Sequence, residues 1–128
     1  MRGKYREFMT QVETQAEADF TGFPPPADLE KYEPEQLGML ILRHLCAQGF
    51  RGNRGNFIIL FKQFCSDKVD GDTQTMAAQV MSESWMWLER EGLVAPDPDS
   101  DHRDRDWVFV TRRGRKLNES GDPGSLSG

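Results

Sequence analysis

Apolar positions recur at helical spacing along most of this chain. Between residues 2 and 20, Tyr5, Phe8, Met9, Val12, Ala16 and Phe20 fall on one narrow stripe, with charged and amide side chains between them. The pattern predicts an amphipathic helix. Gly22 and the run Pro24, Pro25, Pro26 break it and predict an extended connector up to residue 33. Pro34 suits the first turn of the next helix. There, Leu37, Met39, Leu40, Ile41, Leu42, Leu45 and Cys46 are apolar almost all round, which places this helix at the centre of the fold. Gly49 is positioned to end it.

The stretch "GFRGNRGN" reads as a turn-rich loop, with Asn56 as N-cap of the next helix. "FIILFKQFCSD" has the length of a buried strand or a helix. The spacing of Phe57, Phe61, Phe64 and Cys65 favours the helix. After a second loop, "KVDGDTQT", a third core helix is expected over residues 74–91. Its inner stripe is Ala77, Val80, Met81, Ser84, Trp85 and Leu88, and Gly92 is its stop. "LVA" and "WVFV" predict two short strands joined by a loop over residues 96–106. Thr111 caps a short helix over residues 112–117. The ending "ESGDPGSLSG" is small and polar, as flexible tails are. The expected fold is mainly α with a small β-hairpin. It divides into residues 1–33 (helix and connector), 34–118 (the domain) and 119–128 (the tail). Leu40, Ile41, Phe61, Val80 and Leu88 are expected to be nearly inaccessible to solvent.

Composition sharpens this picture. A chain of 128 residues fits one domain, and 37% apolar residues with 10% aromatics supply a compact core with polar ends. No run approaches the length of a membrane span, and "MRGKYREFMTQVE" lacks a secretory apolar core. Cys46 and Cys65 each sit in apolar runs, as buried thiols of a reduced cytoplasmic protein do. A net charge of −5 argues against a general nucleic-acid coat, yet leaves room for a local basic patch.

Sites for chemistry do not assemble. "DPDSD" starts like a calcium loop but has His102 where glycine is needed and Val108 where glutamate is needed. His44 and Cys46 point in different directions on a helix, and no zinc spacing exists. "GFRGNRGNF" lacks the phosphate-loop lysine. No nucleophile–histidine arrangement stands out, so neither an enzyme, a metal nor a cofactor is expected.

Three helices followed by a hairpin is the order of a winged helix-turn-helix. The segment "WLEREGLV…WVFVTRRGRKL" resembles the ending of MarR- and PadR-like regulators, through Leu88, Gly92, Leu93, Val94, Val110, Thr111 and Gly114. The resemblance covers residues 34–117. "VFVTRRGR" is also similar to the N-terminal part of Ymh-type bacterial and prophage proteins, where a separate helical domain follows it.

The winged-helix resemblance implies a bacterial, cytoplasmic, transcription-regulator-like module that holds double-stranded DNA. The leading half of the third helix would enter the major groove, with Gln74, Thr75, Gln79 and Ser82 near bases or phosphates. That helix carries no cation before Arg90, and Glu83 would repel phosphate. The positive charge lies elsewhere, with Arg51 and Arg54 in the loop before the second helix, and Arg103, Arg105, Arg112, Arg113, Arg115 and Lys116 flanking the wing. The wing-side cations are candidates for DNA contacts, with Arg112, Arg113, Arg115 and Lys116 as a phosphate clamp or, alternatively, as partners of the loop aspartates.

The strand alternation opens a different use. If Val108 and Val110 face the core, Trp107 and Phe109 face away, and Met86 and Trp87 lie off the third helix's inner stripe. Together they would make an apolar surface for a partner. The stripe of Tyr5, Phe8 and Val12 would cover it, from the same chain or from a homodimer mate. The first reading is therefore a DNA-binding module using wing-side arginines. The alternative is a protein-interaction or dimerisation module of a prophage or defence protein without DNA binding.

Overall fold

A computed structural model describes residues 20, 22–48, 54–66, 68–98 and 107–121. The stripe residues Tyr5, Phe8 and Val12, the arginines Arg51, Arg103 and Arg105, and the chain after residue 121 lie outside the described residues. What is described is mainly helical with a small antiparallel sheet. A 3-10 helix (Pro26–Lys31) leads into α1 (Pro34–Gln48), β1 (Arg54–Asn56), α2 (Phe57–Phe64), α3 (Gly71–Arg90), β2 (Val94–Pro96), β3 (Trp107–Val110) and α4 (Arg112–Ser120). Among the described residues no helix is long and apolar enough to cross a membrane.

Local chemistry explains most boundaries. The Asn56 side chain accepts a hydrogen bond from the Ile59 N–H at 3.1 Å, which starts α2 as a helix. Thr111 does the same for α4 through the Gly114 N–H at 3.0 Å. Gly92 follows α3 with φ of +72°, a left-handed conformation that stops the helix. α3 begins at Gly71, three residues before the position its periodicity predicts. Asp70 occupies the cap, and the Thr73 hydroxyl donates to its carboxylate at 2.9 Å. α4 continues through Ser120, past residue 118, and ends at Gly121 with φ of +68°.

The sheet differs from the expected two-stranded hairpin. β3 is central, in the order β1-β3-β2, with both neighbours antiparallel. β1 pairs Arg54 with Phe109 and Asn56 with Trp107, while β2 pairs Val94 with Val110. Arg-Gly-Asn has no strand propensity of its own, so the turn-like reading of this stretch fails because pairing with β3 overrides it. Gly55 belongs there by close approach: a side chain would run into Leu45 of α1.

The core lies between α1, α3 and the inner face of the sheet. Leu37, Ile41, Leu42 and Leu45 meet Ala77, Met81, Trp85 and Leu88, and Val94, Val108, Val110 and Leu117 close the sheet side. Of the five residues expected to be inaccessible, Ile41 and Leu88 are, at 0% exposure. Leu40, Phe61 and Val80 are only partly buried, because they sit at the edges of their helices' inner faces. Ser84 is fully buried, and its hydroxyl donates to the Val80 carbonyl at 3.0 Å. The proline-rich stretch is more than an extended connector. Its 3-10 helix sets Leu29, fully buried, against α3. Upstream of it, Phe20 stacks on the buried His44 with ring centroids 4.4 Å apart, beside Phe23 and Phe64.

Candidate interaction surface

α3 presents a long exposed face. Its 20 residues extend about 30 Å. One face is core. On the other, Asp72, Thr75, Gln79, Glu83, Met86 and Arg90 recur every three or four residues, all exposed. The two halves of this face differ.

The leading half is polar and partly occupied with its own loop. The Gln74 amide donates to the Val69 carbonyl at 2.7 Å and lies 3.4 Å from that of Ser66, which ties down the turn between α2 and α3. The Thr75 hydroxyl donates back to the Gly71 carbonyl at 3.0 Å. Gln79 is exposed and Ser82 half-buried. Of the four base-reading candidates, Gln74 and Thr75 therefore already hold intramolecular partners.

The trailing half forms a cleft with the start of α1. Pro34, Glu83, Met86, Trp87 and Arg90 line about 250 Å³. Met86 is 56% exposed, the most exposed large apolar side chain among the described residues. Trp87 is half-buried against α1, where Gly38 makes room for it. A Cβ on Gly38 would come within 2.6 Å of the indole ring. Glu83 and Arg90 bracket the cleft with opposite charges.

The sheet's outer face is a separate place. Val108 and Val110 are buried and Trp107 and Phe109 half-buried, as alternation predicts. The Arg54 guanidinium lies 5.6 Å from the centre of the Trp107 ring and forms an ion pair with the buried Asp97 carboxylate. The pair ties β1 to the end of β2 across the central strand. Trp87 and Trp107 thus belong to different settings, and no sheet residue lines the Trp87 cleft. The place of Pro34 and Arg90 in the cleft is not legible in the sequence, nor is the Arg54–Asp97 pair, because each joins residues distant in the chain.

The cations Arg112, Arg113, Arg115 and Lys116 are exposed on the first turns of α4. That helix is fastened to the far end of α3. The Thr111 hydroxyl donates to the Gly92 carbonyl at 2.7 Å, and Arg113 Nε donates to the Glu91 carbonyl at 2.9 Å. Glu91 lies about 25 Å along the axis from Gln74. Among the described residues, the proposed base readers and the cations Arg112, Arg113, Arg115 and Lys116 do not form one cluster. Cys46 is half-buried, and burial pushes its thiol up, opposed by the nearby Arg115. Burial raises the Cys65 thiol too, with Asp70 adding to the effect. Among the described residues no group of three or more histidine, cysteine, aspartate or glutamate side chains is placed to hold a metal ion.

No protein-family model matches this chain, and no curated protein or solved structure is significantly similar to it.

Proposed function

We propose that this chain is a winged-helix module that docks protein rather than DNA. The winged-helix part of the reading is supported by three helices followed by an antiparallel hairpin, with Thr111 closing the wing onto the end of α3. The choice of partner rests on one observation: the charge of the two elements that a winged helix turns toward a duplex. α3 carries Asp72, Glu83 and Glu89 against Arg90, a net of −2. The connection between β2 and β3, residues 97–106, carries five aspartates against Arg103 and Arg105; with the buried Asp97 already paired to Arg54, its net is −2 without His102. Both would meet phosphates with like charge, and phosphate neutralisation supplies most of the affinity of such contacts. The cations of α4 stand at the opposite end of α3 from Gln74, where they do not offset that repulsion. An exposed methionine beside a tryptophan cleft is instead the composition of a protein contact.

The test is a titration of labelled duplex DNA at several salt concentrations, with the native chain and the Arg112→Ala/Arg113→Ala double variant. No saturable binding by either protein is expected, even at low salt. Saturable, salt-dependent binding by the native chain that the double variant loses would restore DNA as the partner.

A further inference from the structure

The trailing half of α3 is self-complementary. Glu83 stands one turn before Trp87, and Arg90 one turn after Met86, all four on the same cleft. Glu83 and Arg90 are seven residues apart, about 10 Å along the axis, too far to pair within one helix. Place a second copy of α3 antiparallel to the first, with the twofold axis between positions 86 and 87. Glu83 of each copy then meets Arg90 of the other, and Met86 of each meets Trp87 of the other. Packed helix axes lie about 8–10 Å apart, within reach of all four contacts.

We infer that this face is a homodimer contact, whose occupant is a second copy of this chain docked antiparallel. The inference rests on the reading of α3 as a protein-docking face and names the partner. Charge complementarity selects it. A basic partner would suit Glu83 and be repelled at Arg90; an acidic one would do the reverse. A parallel second copy would set like against like. An antiparallel copy satisfies both ends with a single patch, which is the defining property of an isologous contact. Met86 is the one large apolar side chain exposed on this stripe, and the contact buries it against indole and Pro34. The ion pairs lie at the rim and set direction and register, while the apolar centre supplies most of the stabilisation.

The experiment is sedimentation velocity of the full chain over a wide concentration range, with four further samples: Glu83→Arg, Arg90→Glu, the double variant carrying both, and an equimolar mixture of the two single variants. The native chain sediments as a dimer at high concentration. Each single variant creates two repelled pairs across the axis and weakens association by roughly a hundredfold. The double variant regains it. The mixture forms a heterodimer at concentrations where either component alone is mostly monomeric, because the two arginines of the Glu83→Arg copy then face the two glutamates of the Arg90→Glu copy. Rescue on mixing also rules out misfolding as the cause of dissociation. A native chain that stays monomeric throughout overturns the inference. So do single variants that associate like the native chain, or a mixture that forms no complex. Duplex DNA added to the same samples separates the two levels. A monomeric native chain that ignores DNA removes only the second copy, whereas one that binds DNA removes the protein-docking reading itself.

Discussion

The two halves of α3 share one inner stripe and have opposite outer faces. In the leading half the polar groups turn back on the chain: Gln74 holds the preceding loop, Thr75 its own first turn and Thr73 the cap. In the trailing half an apolar side chain stands in solvent between two opposite charges, above a half-buried tryptophan. A regular helix therefore does not present one function along its length. What a segment offers depends on which of its side chains have already found partners, and here the half expected to read DNA has committed more of them than the half behind it.

Substitutions can break this comparison, beginning with the largest effect. Leu88 is fully enclosed beneath the trailing half, and Leu88→Ala should cost about 2–5 kcal/mol in urea unfolding. A loss below about 1 kcal/mol, the range of surface substitutions, would deny that the two halves share a core. Asp97→Ala leaves Arg54 without its buried partner on the sheet. Because Arg54 reaches solvent on one side, about 1–3 kcal/mol is expected. The loss should shrink in Arg54→Leu/Asp97→Leu, where both charges go. Thr111→Ala removes the cap that fastens α4 to the trailing end of α3, and about 1 kcal/mol should be lost. Gln74→Ala at the leading end should cost less, about 0.5–1 kcal/mol, seen as faster amide exchange in the loop before α3.

The smallest effect concerns the two thiols. Burial raises both above their ordinary range, so the folded protein holds less thiolate at neutral pH than the unfolded chain. Alkylation of the native protein should be slow, and slower at the buried Cys65 than at the half-buried Cys46. The sign for stability is fixed by the same shift. Once pH passes the unfolded thiol range, the unfolded chain loses protons that the folded one keeps. Stability therefore falls as pH rises through that range and is fully retained below it. Unfolding curves of the native chain and a Cys65→Ala variant, measured across alkaline pH, would show whether the thiol accounts for part of the slope.

Much of the fold was legible because its signals are local. Asn56 and Thr111 cap helices by bonding N–H groups three residues ahead, and the alternation of Trp107, Val108, Phe109 and Val110 gives the inner and outer faces of β3 directly. β1 was not legible, since Arg-Gly-Asn becomes a strand only by pairing with β3, more than fifty residues later. Leu29 was hidden in a proline-rich stretch that reads as a spacer, yet its 3-10 helix delivers that side chain to the core. The candidate surface was half legible. Met86 and Trp87 stand out by leaving the inner stripe, but the cleft needs Pro34 from α1, and Gly38 to admit the indole. The different neighbours of Trp87 and Trp107, Pro34 for one and the Arg54 guanidinium for the other, were not legible, because alternation within a strand says nothing about the face of a distant helix.

The trailing half of α3 meets protein, on this proposal, and the leading half does not. The most direct test records two-dimensional amide spectra of the uniformly labelled chain at successive dilutions. Concentration-dependent shifts are predicted at Glu83, Met86, Trp87 and Arg90 and in the Trp87 indole N–H, with Gln74, Thr75, Arg112 and Arg113 unmoved. Spectra that do not change on dilution, or shifts centred on Gln74, Thr75 and Gln79, would contradict it.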